Sequence, residues 1–280
     1  TMLYNPSIAF MGGRKPSKKH QMNRQLLIVR AGALSLGAFG LRAQTAAAPS
    51  SSWVVTPSFV SQYMFRGARL GGPSFQPSVE FDSGNVAVGI WNNTPMADKV
   101  PGTSDPEFDF YGSYTQTIND KLSVVTGGTI YYYPSANEQN GFYVTTAEPS
   151  IALNYTLGDV KLTPKYYYDF ILHGPTYELS AAYAVPLKDL GTELDFTGTV
   201  GTFKWKEAAQ NTFPDVKNVG NYWLIGVAAP FQITKDSKFT VGFAYTEGSD
   251  NFLKQGTSPK VVNTAALGRG VVSLSYAVTF

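Results

Sequence analysis

The sequence predicts an all-β protein: a transmembrane antiparallel up-and-down β-barrel of about 12 strands, with short periplasmic turns and longer external loops. Three observations predict it. Aromatics make up 14% of the 280 residues and glycine is abundant, while only 15% are charged, against about 25% in soluble domains. Apolar residues recur at every second position in segments of barrel-strand length. The connections between those segments alternate between short and long.

Taken in order, period-2 runs fall at 53–66, 74–82, 85–93, 106–117, 122–133, 144–155, 160–170, 175–185, 193–203, 219–231, 239–247 and 268–280. Most are 9–13 residues long, which suits the roughly 9–11 residues that a tilted strand needs to cross a bilayer. The turns Asp82-Ser83-Gly84-Asn85, Ile118-Asn119-Asp120-Lys121, Leu157-Gly158-Asp159, Pro186–Gly191 and Thr234–Lys238 are short and rich in Gly, Asp and Asn, which suits tight reversal. Longer links run near 67–73, 94–105, 134–143, 204–218 and 248–267, and the link at 171–174 is a short exception. An even strand number leaves both chain ends on the turn side.

Alternation inside the strands supports the same reading. Val272, Leu274, Tyr276, Val278 and Phe280 share one face of the last strand, opposite Val271, Ser273, Ser275, Ala277 and Thr279. A soluble sandwich would also alternate, so the placement of aromatics decides. Tyr63, Phe65, Phe108, Phe110, Tyr131-Tyr132-Tyr133, Tyr166-Tyr167-Tyr168, Tyr177 and Trp223 gather at the external strand ends. Phe81, Tyr114, Tyr155, Tyr183, Phe231, Phe239 and Phe280 gather at the turn ends. Two girdles bracketing an apolar belt are the expected signature of headgroup-level rings.

The charge is divided unevenly along the chain. The first 50 residues hold seven basic residues and no acid; the remaining 15 basic and 20 acidic residues leave a net of −5. Nucleic-acid binding by a basic surface therefore has no support. In that leader, basic residues precede the apolar run Ala31–Leu41, followed by small residues at Ala43 and Ala46-Ala47-Ala48. The layout is that of a cleaved secretory signal, and the run is too short for a membrane anchor of about 20 residues. Residues 1–48 are thus read as leader, with Met22 as the expected true start, and 49–280 as a single barrel domain. Without cysteine there is no disulfide, no lipoprotein anchor and no thiolate metal site.

With the outward faces assigned, the lumen receives Gln62, Arg66, Glu80, Glu107, Asp109, Glu148, Lys165, Asp169, Glu178 and Asp195. The charged members are the pore-lining candidates. Keeping charge inside spares the lipid face a cost of roughly 2–4 kcal/mol per midplane cation. Acids outnumber bases, which implies a weak lean toward cations. Arg66 reads as an ion-pair partner for these acids or as a constriction charge. Glu107 and Asp109 share a strand face, but no His lies near them in sequence, so a solvated acidic rung is preferred to a metal or acid/base site. No cofactor is expected. Phe280, with Val278 and Tyr276 behind it, resembles the C-terminal signal that the barrel-assembly machinery reads.

An ordered set of segments also resembles a known family. Tyr63-Met64-Phe65-Arg66-Gly67 is followed by Phe75-Gln76-Pro77-Ser78-Val79-Glu80, Val88-Gly89-Ile90-Trp91-Asn92-Asn93, Glu107-Phe108-Asp109-Phe110-Tyr111-Gly112 and Ile130-Tyr131-Tyr132-Tyr133-Pro134. Together, over about 56–186, they are similar to the TorF family, porin-type envelope proteins of Gram-negative bacteria long described as conserved proteins of unknown function. The chain departs from that pattern after Gly67, with Ala68-Arg69-Leu70-Gly71 where a Ser/Thr-Gln pair is expected. The resemblance implies an outer-membrane barrel with a pore role.

The functional expectation is a porin-like channel in the Gram-negative outer membrane, passing small polar solutes or ions, with membrane lipid and the assembly machinery as partners. An alternative is a non-conducting structural or adhesive barrel acting through loops 204–218 and 248–267. A third is a lipid hydrolase, for which His173 in Leu172-His173-Gly174-Pro175 is the candidate base; no serine sits beside it to act as nucleophile.

Overall fold

In the computed structural model, residues 51–99, 105–136, 144–205, 219–249 and 268–280 are described. The leader, most of 204–218 and most of 248–267 fall outside them. The described chain forms one antiparallel sheet that closes on itself, plus a separate two-stranded hairpin.

Twelve staves make the wall. The first is β1 (Ser51–Thr56) continued by β2 (Ser58–Val60), and the second is β5 (Ser74–Phe75) continued by β6 (Ser78–Ser83). Each is interrupted where a proline, Pro57 or Pro77, removes a ladder donor. The carbonyls of these prolines still accept from Tyr276 and Asn92, at 3.1 and 3.0 Å, so the wall is continuous. The other ten staves are β7 (Val86–Pro95), β8 (Glu107–Asn119), β9 (Leu122–Tyr132), β10 (Thr145–Leu157), β11 (Val160–Asp169), β12 (Gly174–Leu187), β13 (Thr192–Lys204), β14 (Val219–Thr234), β15 (Ser237–Gly248) and β16 (Arg269–Thr279). Neighbours in sequence pair throughout, and β16 closes the ring against β1 and β2. Trp53 and Phe280 exchange both backbone bonds at the seam, at 3.2 and 2.9 Å.

The short turns fall where glycine and aspartate place them. Gly84, Gly158 and Gly191 have φ of 59°, 62° and 64°, a left-handed conformation that glycine adopts without steric cost. Lys188–Leu190 forms a single 3-10 turn before Gly191.

Outside, the wall is apolar. Ile90, Ile151, Leu153, Leu179, Ile225 and Phe243 project outward and stay exposed, a surface that only a hydrocarbon phase can satisfy at this extent. Inside, the same staves carry Ser, Thr, Gly and charged residues. The pair Leu179 and Ser180 tests this polarity. Leu179 faces out near the middle of β12, whereas Ser180 faces in and shares a 2.9 Å hydrogen bond with Thr199. Leu179→Arg is expected to cost roughly 2–4 kcal/mol in bilayer refolding titrations, as for a midplane cation on the lipid face. Ser180→Arg is expected to cost markedly less, and equal costs would contradict the assignment of faces.

The structure corrects two features of the strand reading. The first strand does not extend to residue 66: it leaves the wall after Ser61, and Tyr63–Phe65 becomes one arm of the separate hairpin. The external aromatic girdle is also thinner than expected. Phe110, Tyr132, Tyr166, Tyr177 and Trp223 do face outward, but Tyr63, Phe65, Tyr131, Tyr133 and Tyr167 are buried inside. Three tyrosines in a row on a strand cannot share one face, because the side-chain period is two.

Candidate functional site

The hairpin pairs β3 (Tyr63–Phe65) with β4 (Ala68–Gly71). Its tip is Arg66-Gly67, with φ of 42° and 78°. Two central residues at positive φ make a type I′ reversal, the two-residue loop whose twist matches its strands. Glycine suits this position; arginine is an uncommon occupant and is held by its contacts. The base of the hairpin is tied to the opposite loop, where the Gly72 amide donates to the Asp98 carbonyl at 3.0 Å. Arg69 donates to Gln62 Oε1 at 2.6 Å and also pairs with Asp98.

The contacts of this hairpin place it in the lumen. The Tyr63 hydroxyl donates to Glu107 on β8. Arg66 donates through both terminal nitrogens to Glu148 on β10, at 3.0 and 2.9 Å, and lies 4.9 Å from the Tyr167 ring centroid on β11. A Cβ on Gly67 would overlap the backbone of Glu247 and Gly248 on β15. A single hairpin reaches staves so widely separated around a closed wall only from inside it.

Three of the inward carboxylates around it accept from tyrosine hydroxyls. Glu107 also accepts from Tyr133 at 2.8 Å, and Glu148 accepts from Tyr131 at 3.1 Å. Glu178 accepts from Tyr222 at 2.7 Å and from Tyr167 at 3.4 Å, and it stands opposite Lys165 in the ladder. The Lys165 ammonium lies 4.4 Å from the Tyr167 ring centroid. Buried carboxylates require such donors, because desolvation without partners costs several kcal/mol. The hairpin's apolar arms, Phe65, Ala68 and Leu70, join a buried cluster with Trp91, Phe203 and Trp205, in which Phe203 and Trp205 stack at 4.2 Å.

Inward glycines make room for these rings. Gly89 faces Tyr111, Gly201 faces Tyr222 and Gly220 faces Phe203 across adjacent staves, and in each pair the ring lies where a Cβ would be. The aromatic side chains therefore fold flat against the wall and leave the axis to the hairpin.

The nine charged candidates fall into groups. Arg66, Glu107, Asp109, Glu148, Lys165 and Glu178 surround or belong to the hairpin seat, and Asp109 lies beside Glu107. Asp169 instead caps the turn between β11 and β12, with Oδ1 accepting from the amides of Ile171 and Leu172 at 2.8 and 2.7 Å. Glu80 is buried on β6, and Asp195 faces inward on β13 within the field of Lys238 toward the turn end. Arg66 differs from the expectation in its support: it rides on the hairpin, not on a stave. Outside the wall, burial raises the Asp105 carboxyl above the usual aspartate range, opposed by Lys99 with its Nζ 3.9 Å away. His173 is exposed in the loop-end turn with φ 50°. Among the described residues no group of three or more His, Asp or Glu is arranged to hold a metal ion.

The functional residues absent from the sequence reading are the phenols. Tyr63, Tyr131, Tyr133 and Tyr167 were expected in the girdle and Tyr222 was not singled out. The consecutive tyrosines held the signal, since period-2 geometry forces the flanking members of an outward Tyr132 to face in.

A closed wall with an apolar outer belt and a polar interior defines a transmembrane β-barrel of the outer-membrane type. The chain belongs to the Gcw_chp family of bacterial proteins of unknown function, whose family model matches residues 44–272. No curated protein matches it by sequence. Among solved structures the NanC porin is similar in fold, at 11% identity and TM-score 0.50, over 81% of this chain and 98% of that one. The KdgM porin aligns at 12% identity and TM-score 0.48, over 81% and 99%. LpxR from Salmonella typhimurium aligns at 8% identity and TM-score 0.47, over 82% and 100%.

Proposed function

We propose that the protein is a porin-like channel of the Gram-negative outer membrane that passes small polar solutes or ions, with a weak preference for cations. The observation that carries this reading is the wall below the hairpin. There Ser113, Gly127, Ser150, Ser180 and Thr197 line the middle of the staves with small, half-buried groups, so the barrel is not packed solid at mid-height, whereas Val125, Ala152 and Asn154 nearer the turns are buried. The acidic excess around the hairpin seat favours cations in a narrow, low-dielectric passage. Export through a cleaved signal peptide, insertion by the barrel-assembly machinery at the Tyr276–Phe280 end, and kinship with the TorF porins belong to the same proposal.

A non-conducting structural barrel is the second reading, favoured by the hairpin itself, which fills the loop half of the lumen. Planar-bilayer conductance of the refolded mature protein across a salt gradient separates the two. Discrete steps with a cation-leaning reversal potential are expected. A folded, heat-modifiable barrel that stays silent, in the native form and with the hairpin destabilised, would overturn the channel in favour of a plugged barrel.

A further inference from the structure

The seat of Arg66 has the chemistry of a ligand site. The guanidinium is buried, with 2% of its side chain exposed. Glu148 receives it in a two-bond fork at 3.0 and 2.9 Å, a geometry that matches a planar guanidinium and not a spherical ammonium. Aromatic rings attend it: the Tyr167 centroid lies 4.9 Å away and that of Phe65 4.6 Å. Tyr131 holds the second side of Glu148, so the carboxylate is oriented by the wall as well as by the hairpin.

Nearly all of this seat is built by the wall. Glu148, Tyr131, Tyr167 and the neighbouring Glu178–Tyr222 pair stand on β9 to β14, whereas the cation arrives on a separate two-stranded arm. The arm thus resembles a tethered ligand in a preformed acidic and aromatic pocket.

We propose that the lumen carries a binding site for solutes bearing a guanidinium group, which the Arg66 hairpin occupies from within and exposes when it withdraws. This rests on the channel reading, in that a solute must reach the lumen. It adds a ligand class and a mode of self-occlusion. The tethered arginine competes at high effective concentration, so solute and hairpin exclude one another.

Chemical complementation tests the site. Arg66→Ala is refolded in detergent, and its melting is followed by heat modifiability in millimolar guanidinium chloride, with sodium and ammonium chloride at equal ionic strength as controls. A lowered melting temperature is expected for Arg66→Ala. Guanidinium is expected to restore part of it, the controls to restore none, and the double variant Arg66→Ala/Glu148→Gln to lose the restoration. If guanidinium acts no better than sodium, or still acts in the double variant, the proposal fails. Should Arg66→Ala refold poorly, the folded yield in each salt is read instead, and equal yields overturn the site. Bilayer recordings of Arg66→Ala separate the two proposals. Guanidinium-specific restoration in a silent barrel retains the site and rejects the channel. Conduction without restoration retains the channel and rejects the site.

Discussion

Gly67→Ala is expected to unseat the hairpin and raise conductance while leaving the wall folded. Two costs coincide at this position. The backbone has φ 78°, where an L side chain loses about 1–2 kcal/mol. The added Cβ would also overlap the backbone of Glu247 and Gly248, and stave backbone held in a ladder cannot yield as a flexible side chain can. The tip must therefore back away from β15, and Arg66, one residue before it, loses its alignment on Glu148. The wall does not depend on this contact, because its hydrogen bonds run from stave to stave. Gly158→Ala is the control, since Gly158 has φ 62° and nothing within 4 Å of an added Cβ. It should lose about 1 kcal/mol with no change in conductance. If Gly67→Ala matches that control in melting and in single-channel steps, the tip is not seated as described.

Glu148→Ala is expected to be the most destabilising single change among the buried charges. It strands the Arg66 guanidinium, with 2% of its side chain exposed, and removes the acceptor of Tyr131. Removing one partner of a buried pair costs roughly 3–5 kcal/mol, because the remaining charge stays desolvated. The loss should persist at high salt, since screening acts weakly on buried pairs. Glu148→Gln retains an acceptor and should lose less. Replacing both partners, as in Arg66→Met/Glu148→Leu, should recover much of the stability, because it removes the desolvation cost together with the attraction. Urea unfolding in lipid vesicles measures all three. A Glu148→Ala variant within about 1 kcal/mol of the native protein would mean that the hairpin releases its cation to water instead of staying seated.

The wall was legible because its physics is local. Alternation over each stave and a Gly or Asp in each tight turn specify strand, face and reversal without knowledge of distant residues. The predicted run 219–231 differs from the observed Val219–Thr234 only at the fraying end. The hairpin was not legible in this way. Tyr63–Phe65 is apolar and aromatic enough to read as the end of the first strand, and burial on all sides of Arg66 depends on Glu148, 82 residues away. Even so, one local sign was present. A positively charged residue followed by glycine, within a run of aromatics, is an awkward strand terminus but a serviceable two-residue turn. The tyrosine triplets show the converse: residue type suggested the membrane interface, and the twofold period, applied strictly, sends half of them inside.

The position of the hairpin also orders events in time. It lies between the first two staves in sequence, yet its partners belong to β8, β10, β11 and β15. Its native contacts are thus among the most distant in the chain, and closing such loops is entropically slow. None of them exists until the later staves have curled round, and the ring itself is sealed only when β16 meets β1. The seam pairs Val54 with Thr279, a longer closure than any contact of the hairpin, so loop-closure entropy favours seating of the hairpin on β8, β10 and β11 ahead of the final seal.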